Sequence, residues 1–274
     1  MLQLLVDGLV VGSTVALGAI GLTLTYSLLR FANFGHGELL TIGAYAALAV
    51  VGALAGSATA TTSSCGSASR SSSAPRTPSQ PSAAPPIGPF SFGWPLLAAL
   101  PGAAAATALV ALAVDAALFA RLRARGAAIV LIIASFGAAL ALRNVLLFSF
   151  GPLPEYYSRE IQIAIALVPR SVLGGMRVTP DQAFVLGLAL ACMGALHLFL
   201  SRTVLGKAMR ATAMNPDLAR VAGIDTAAVI RATWILGATL ASVAGVFAGL
   251  TGQVRTTLGF ELRLPMFAAA LLGG

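Results

Sequence analysis

The sequence predicts an all-α protein built as a polytopic bundle of membrane-spanning helices, and three observations predict it. Hydrophobic residues make up 58% of the chain and charged residues 9%, whereas about a quarter of the residues of a soluble domain are charged. Apolar runs of about 20 residues, long enough to cross a bilayer as helices, recur along the chain. Basic residues flank these runs and form no single basic face, so the net charge of +8 does not indicate nucleic-acid binding.

About seven spans are predicted, six of them complete. The complete runs are Leu4–Leu29, Leu39–Gly56, Phe92–Ala120, Ala127–Phe150, Ala183–Leu200 and Val229–Gly252. A seventh run begins near Leu264 and reaches Gly274, from which we expect a chain truncated at its C-terminus. The first run has no basic leader and contains Asp7, which predicts a retained helix and not a signal peptide.

The positions of Lys and Arg predict the orientation of the bundle. One set of alternate loops carries basic residues in short clusters against the span ends: Arg30, Arg121, Arg123, Arg125, Arg202, Lys207, Arg210, Arg220 and Arg231. The positive-inside rule assigns these loops to the cytoplasm. We therefore expect the N-terminus on the outer side.

Composition divides the chain into three regions. Residues 1–56 hold the first two spans, residues 57–91 form an external loop, and residues 92–274 hold the remaining bundle with a cytoplasmic loop at 201–231. Ser, Thr, Pro and Ala dominate Ser57–Pro86, which predicts disorder because such a segment buries too little apolar surface to order itself. A local reading-frame error is the alternative, since the segment differs from both neighbours.

A second external segment, Gly151–Thr179, contains several prolines and two adjacent tyrosines, which suit the membrane interface. Its apolar run Ile161–Val168 is too short to span a bilayer. An interfacial helix and a short strand both fit this run.

Small residues at helical spacing predict close helix packing. The sixth span carries them at every fourth position: Gly237, Ala241, Gly245 and Gly249. Lipid gives helices little hydrophobic reason to associate, so such a stripe favours a compact bundle or a dimer interface. Shorter series in the first and fifth spans, such as Gly8 with Gly12, could equally reflect the abundance of Gly and Ala in membrane helices.

The segment Phe31–Glu38, FANFGHGE, connects the first two spans and contains one of the chain's two histidines. His36 and Glu38 would point about 200° apart on a helix, and too few other donors are visible for a zinc site. Cys65 and Cys192 lie in different contexts and support neither a disulfide framework nor a metal cluster.

Asp115 and Arg143 are further ionisable residues within predicted spans, and charge at membrane depth is by default a sign of function. Asp115 lies two helical turns from the basic cluster at Arg121, and Arg143 lies near the outer interface. We favour structural roles for both, in which Asp115 pairs with that cluster and Arg143 extends its side chain to the interface.

The cytoplasmic loop at 201–231 is long for a simple connection and contains cues for two short helices. Asn215 predicts a helix N-cap ahead of Pro216, and Gly223 predicts a helix end. The single Gly-Lys pair of the chain lacks the flanking residues of a phosphate-binding loop, so ATP-driven work would require a partner. The loop therefore predicts a preformed docking element.

Three blocks of the sequence resemble the membrane permease subunits of branched-chain amino acid ABC transporters. The first block is Gly12–Tyr26 with Asn33–Glu38 and Gly43–Tyr45, the second is Gly206–Ala211 with Asn215, Ala219, Gly223 and Ile224, and the third is Gly237–Gly245 with Phe267–Gly274. With the hydropathy between them, the resemblance covers nearly the whole chain outside Ser57–Pro86. That segment is foreign to the family, whose members also continue beyond the position of Gly274.

The resemblance implies a multi-pass subunit of the bacterial inner membrane that translocates a small amino acid, is not an enzyme and uses no cofactor or metal. It implies four partners: a second related permease, two cytoplasmic ATP-binding subunits and an external solute-binding protein. It also implies a coupling loop that seats in the ATPase, carried over to Gly206, Lys207, Arg210, Ala211, Asn215, Ala219, Gly223 and Ile224.

In this interpretation FANFGHGE is the inner turn between the first two spans. Asn33, His36 and Glu38 then satisfy backbone groups freed at the turn, and contact with the solute path is the alternative.

Other functions remain open at this point. A relative that moves urea or short amides would carry the same motifs, because those motifs lie in turns and coupling elements. An ion-coupled secondary transporter would show acidic residues at mid-membrane depth and an inverted repeat, and neither is clear. An intramembrane enzyme would need a catalytic set that is not evident.

Overall fold

The computed structural model describes residues 2–62, 93–123, 128–157, 165–168 and 176–273. The helices are α1 (Leu2–Leu29), α2 (His36–Thr62), α3 (Trp94–Val114), α4 (Ala120–Arg123), α5 (Ala128–Phe150), α6 (Pro180–Arg202), α7 (Val204–Met214), α8 (Pro216–Val221), α9 (Thr226–Thr251) and α10 (Leu258–Leu272). A π-helical turn, Asp115–Phe119, joins α3 to α4. Most of the predicted external loop at 57–91 lies outside the described residues.

Six described helices are long and apolar enough to cross a membrane, which confirms the six complete spans predicted from hydropathy. Their bounds are Gln3–Leu29, His36–Leu54, Trp94–Arg123, Ile129–Phe150, Pro180–Arg202 and Thr226–Thr251. The seventh run differs, because α10 begins at Leu258, ahead of the predicted start near Leu264. The charged residues Glu261 and Arg263 lower the hydropathy at the start of α10, which moved the predicted start toward Leu264. The Arg263 side chain is nevertheless buried in the bundle.

Two short antiparallel strands, β1 (Ile165–Val168) and β2 (Met176–Val178), lie in the segment between α5 and α6. Ile165 is paired with Val178. For residues 165–168 the strand alternative is therefore confirmed and the interfacial helix is wrong, while residues 161–164 lie outside the described part of the chain.

Helix α9 is the centre of the bundle and packs against α1, α2 and α3. The spans of α2 and α9 are each 67% buried, whereas those of α5 and α6 are 22% and 11% buried. Inside a membrane, the open faces of α5 and α6 contact lipid, another subunit or a water-filled path.

The helices at this centre approach one another backbone to backbone. A Cβ atom added at Gly245 would collide with the carbonyl oxygen of Leu40 on α2. One added at Gly237 would lie 3.2 Å from the carbonyl oxygen of Gly21 on α1. Gly245 leaves no room for a side chain, and a side chain at Gly237 would require its neighbours to shift, so the small residues of α9 determine how close α1 and α2 lie.

The glycines of the shorter series behave differently. Gly18 and Gly21 face packed neighbours, whereas a Cβ at Gly8, Gly12 or Gly187 would meet nothing within 4 Å. The ends of α1 and α6 that carry these residues therefore present open grooves on this chain.

Helix α2 begins inside the bundle and not at its end. We name the basic end as the end at which α1 stops at Leu29 and α9 starts at Thr226. His36 lies beside Gly21 of α1 and Gly237 of α9. At 1.5 Å per residue, Gly21 is about 12 Å from the end of α1 at Leu29, and Gly237 is about 17 Å from the start of α9 at Thr226. Since a hydrocarbon core is about 30 Å thick, α2 starts near half depth.

Helix α10 begins at the same depth and runs back. The Gly259 amide donates a hydrogen bond to the Thr41 hydroxyl at 2.8 Å, which anchors the start of α10 to the first turns of α2. Ala269 and Ala270, near the end of α10, line a cavity with Thr23 of α1. The segments 30–35 and 252–257 thus both re-enter the bundle, and FANFGHGE is not a simple turn at its inner end.

We expect Gly245→Ala to lower the free energy of unfolding by about 1–3 kcal/mol, because the added methyl group overpacks a backbone contact. Gly12→Ala is the matched control, since its methyl group would meet open space. Unfolding of both variants in detergent, followed by circular dichroism, measures the difference. Equal stability of the two variants would contradict the packing described here.

Candidate functional site

The functional residues predicted from the sequence fall in two regions of the structure. Asn33, His36 and Glu38 lie at half depth where α2 begins, and the residues of the 206–224 segment lie on α7, α8 and the turns that flank α8 at the basic end. The two regions are joined at Arg30, whose guanidinium donates to the Ala213 and Met214 carbonyls at 3.3 Å.

Asn33 holds the re-entrant segment in shape. Its side-chain oxygen accepts a hydrogen bond from the Gly35 amide at 3.0 Å, and its carbonyl accepts one from the His36 amide at 3.2 Å. The Ser135 hydroxyl of α5 accepts a further bond from the Phe34 amide at 3.2 Å. The polar groups of this turn are thus satisfied at a depth where water is scarce.

His36 has a different role from the one expected for it. It is the first residue of α2 and only 1% exposed, with its ring in the space that Gly21 and Gly237 leave open. The Gly18 backbone approaches the ring, yet neither ring nitrogen forms a hydrogen bond of good geometry with a described residue. The expectation that His36 satisfies freed backbone groups is therefore corrected: its side chain fills space between three helices.

Glu38 also lies in α2 and not in the turn. Its carboxylate is 3.6 Å from the guanidinium of Arg263 on α10, and the two side chains are 1% and 8% exposed. This buried ion pair links the two helices that begin at half depth. The sequence had suggested that Glu38 holds freed backbone groups. It does not, because no hydrogen bond joins it to a described residue.

Aromatic rings and a second arginine surround this ion pair. The Arg263 guanidinium lies 4.6 Å from the ring centre of Phe260 and 5.8 Å from that of Phe136. The Arg143 guanidinium lies 5.1 Å from the same Phe260 ring. We name these residues the arginine–aromatic cluster: Glu38, Phe136, Arg143, Phe260 and Arg263.

The cluster corrects the interpretation of Arg143 and adds Arg263. From the sequence we expected the Arg143 side chain to extend to the membrane interface. In the structure its guanidinium also packs on the Phe260 ring of α10. The predicted spans end at Gly252 and resume near Leu264, which left Arg263 in the loop between them, because a charged residue lowers the hydropathy on which span prediction depends. One feature of the sequence could have placed Arg263 in a helix: it lies one helical turn before Met266, where an apolar run follows.

Asp115 has the structural role predicted for it. Its carboxylate forms an ion pair with Arg123, with 2.7 Å between the closest atoms. The π-helical turn that begins at Asp115 adds a residue to the helix between the two groups. The charge is therefore compensated at the basic end, within one helix.

The loop at the basic end is preformed by its own caps. The Asn215 side chain accepts from the amides of Asp217 and Leu218 at 3.1 and 3.0 Å, which confirms the predicted N-cap of α8. Gly223 has a positive φ of 81°, and the Ile224 amide closes the helix end on the Ala219 carbonyl at 3.0 Å. Asn215, Ala219, Gly223 and Ile224 thus shape the loop.

Gly206 is also structural, because a Cβ there would lie 2.5 Å from the Leu200 carbonyl oxygen. Lys207, Arg210 and Ala211 are exposed on α7. Sequence reasoning missed the apolar side chains of this loop that face outward: Val204, Met214, Leu218 and Val221, between 65% and 85% exposed. Their irregular spacing hid them, since no single helix carries them all.

The opposite end of the bundle is closed over α2 by the segment that follows α5. The Tyr157 hydroxyl donates to the Ala44 carbonyl at 2.7 Å, and Glu155 forms an isolated antiparallel bridge with Val254. Burial raises the pKa of Tyr157 well above its usual range, so the phenol stays protonated and remains a donor.

Comparison with known proteins gives matches along the whole chain. A family model described as "Branched-chain amino acid transport system / permease component" matches residues 4–274. The high-affinity branched-chain amino acid transport system permease protein BraD of Pseudomonas aeruginosa is 30% identical over 100% of the chain and 79% of that relative. The corresponding LivH of Escherichia coli is 28% identical with the same coverage. The probable permease LivH of Methanocaldococcus jannaschii is 26% identical over 99% of the chain and 74% of that relative. No solved structure matches at a significant level.

We expect Glu38→Gln to destabilise the bundle by about 3 kcal/mol or more, because it leaves the buried Arg263 charge without its partner. Combining it with Arg263→Gln should restore part of the loss, and the four proteins form a double-mutant cycle. Asp217→Asn is the control, because it breaks an ion pair between Asp217 and Arg220. Their side chains are 86% and 64% exposed, and a pair so exposed contributes little to stability. A loss in Asp217→Asn as large as that in Glu38→Gln would contradict this account of the pair.

Proposed function

This chain belongs to the family of permease components of branched-chain amino acid transport systems, and from that premise we propose that it carries branched-chain amino acids across the cytoplasmic membrane as a subunit of an ABC importer. The observation that carries the proposal is the family match over residues 4–274. The six candidate spans agree with it. In this function the chain is a transport component, and ATP is hydrolysed elsewhere in the complex.

The proposed complex contains a second permease, two ATP-binding subunits and an external solute-binding protein. The open faces of α5 and α6 support the second permease, because only 22% and 11% of the residues in their most apolar windows are buried by the chain itself. In our proposal the basic end faces the cytoplasm, which places the N-terminus outside. The clusters of Arg and Lys at that end support this orientation.

The α7–α8 pair is the proposed coupling element. Met214, Leu218 and Val221 offer apolar contacts to an ATPase groove, and Lys207 and Arg210 offer charge around them. Gly206, Ala211, Asn215, Ala219, Gly223 and Ile224 complete the element, most of them by fixing its shape. Motion of the seated loop would reach α1 and the re-entrant segment through Arg30, which contacts the end of α7.

Within the bundle we assign structural roles to Asn33, His36 and Glu38. Asn33 fixes the re-entrant segment, His36 fills the space at Gly21, and Glu38 holds Arg263. The burial of His36 and Glu38, each 1% exposed, supports packing over direct solute contact. The stripe Gly237, Ala241, Gly245 and Gly249 is assigned to helix packing.

The transport proposal predicts ATP-dependent uptake of leucine into proteoliposomes that hold the assembled transporter with its binding protein. Urea, the solute of the nearest alternative, should not be taken up. Uptake of both labelled solutes, with and without ATP inside the vesicles, measures this. Uptake of urea without uptake of leucine, isoleucine or valine would overturn the substrate class.

The coupling proposal predicts that Arg210→Glu and Leu218→Ser each reduce leucine uptake and transport-stimulated ATP hydrolysis roughly tenfold, as expected when a central interface contact is lost. Arg121→Glu makes the same charge change on an exposed residue of the basic end outside the loop. Unchanged uptake and hydrolysis in both loop variants would remove the coupling role from α7–α8.

A further inference from the structure

The arginine–aromatic cluster carries one more positive than negative charge. Glu38 pairs with Arg263 at 3.6 Å. No carboxylate forms an ion pair with Arg143 in the part of the chain that the structure describes. Its guanidinium and that of Arg263 share the Phe260 ring and lie within about 10 Å of each other, so they repel in a medium of low dielectric constant. Among the described residues, Glu38 is the acidic group that attracts Arg143, and Glu38 is already paired with Arg263.

The depth of Arg143 makes this unpaired charge costly. Arg143 precedes the end of α5 at Phe150 by about 10 Å, in a helix about 35 Å long at 1.5 Å per residue. A charged side chain that faces lipid costs about 2.5–3.5 kcal/mol at the centre of a span and less toward its end, and such residues generally face a water-filled cavity or protein. The position of Arg143 therefore indicates a polar surface on this side of α5.

The cluster is open on that side. The Phe136 and Phe260 rings are 45% and 49% exposed, whereas Glu38 and Arg263 behind them are buried. Arg143 itself is partly exposed. The open side thus presents a guanidinium beside two apolar rings, which complements a small molecule that carries a carboxylate next to a branched apolar side chain.

We propose that Arg143 binds the carboxylate of the transported amino acid, with Phe136 and Phe260 in contact with its side chain. A guanidinium can hold a carboxylate by two parallel hydrogen bonds, which supplies the missing counter-ion. Arg263 and Glu38 are positioning residues, because they hold the start of α10 and thereby the Phe260 ring. The inference deepens the proposed function and depends on it.

The test measures binding of radiolabelled leucine to the purified permease–ATPase complex without the external binding protein, so that this protein does not select the solute. Arg143→Gln should weaken leucine binding roughly tenfold or more, as expected for loss of a charged hydrogen-bond pair. Arg143→Lys keeps the charge without the two-pronged geometry and should bind with intermediate affinity. Arg121→Gln, which removes an exposed charge at the basic end, should bind as the wild type does.

Leucinamide identifies the group that is recognised, because it lacks the carboxylate. It should compete for the wild-type site roughly tenfold more weakly than leucine, and Arg143→Gln should remove most of this preference. Wild-type affinity for leucine in Arg143→Gln, or equal competition by leucinamide, would overturn the proposal. Loss of the second permease from an Arg143→Gln complex, detected by size-exclusion chromatography, would assign Arg143 to a carboxylate of that subunit and also overturn it.

The uptake assay separates this inference from the proposed function. Leucine uptake by the wild type together with unchanged binding in Arg143→Gln would reject only the role of Arg143. Uptake of leucine by a wild type that does not bind it without the binding protein would likewise reject only the inference, whereas failure of the wild type to take up leucine would reject both.

Discussion

The backbone contacts of α9 with α1 and α2 are the constraint on which the rest of this structure depends. Lipid surrounds the helices with groups as apolar as their own side chains, so only close packing and polar contacts hold them together. Gly245 against Leu40 and Gly237 against Gly21 bring backbones to distances that no side chain permits. The rigid centre that results is what allows α2 and α10 to begin in the middle of the bundle.

Helices that begin at half depth leave backbone groups and charges that need partners inside the bundle, and the chain supplies these partners in different ways. Asn33 and Ser135 accept hydrogen bonds from the re-entrant backbone, and the Thr41 hydroxyl accepts one from the Gly259 amide in the first turn of α10. Glu38 compensates Arg263 across the two helix starts. Arg143 lies beside this pair without a carboxylate of its own among the described residues, so structural support and the proposed solute contact adjoin within one cluster.

The sequence predicted the candidate site unevenly, and the contacts explain why. Asn33 and Asn215 were predictable because their bonds reach only two or three residues along the chain. His36 and Glu38 were identified as unusual, but their roles depend on α1, α9 and α10, whose approach no local pattern reveals. Arg263 was assigned to a loop, since its partner lies in a helix more than two hundred positions away.

The sequence by itself determined the membrane class, the six complete spans, the caps of the α7–α8 loop and the family to which the chain belongs. Hydropathy and capping act over a few turns of one helix, so they can be recognised in one dimension. Only the tertiary structure decided the depth at which α2 and α10 begin, the partner of Glu38 and the outward face of Met214 and Leu218. These features depend on how helices distant in sequence pack, and for the starts of α2 and α10 the absence of a side chain at Gly37 and Gly259, and not side-chain chemistry, sets the distance.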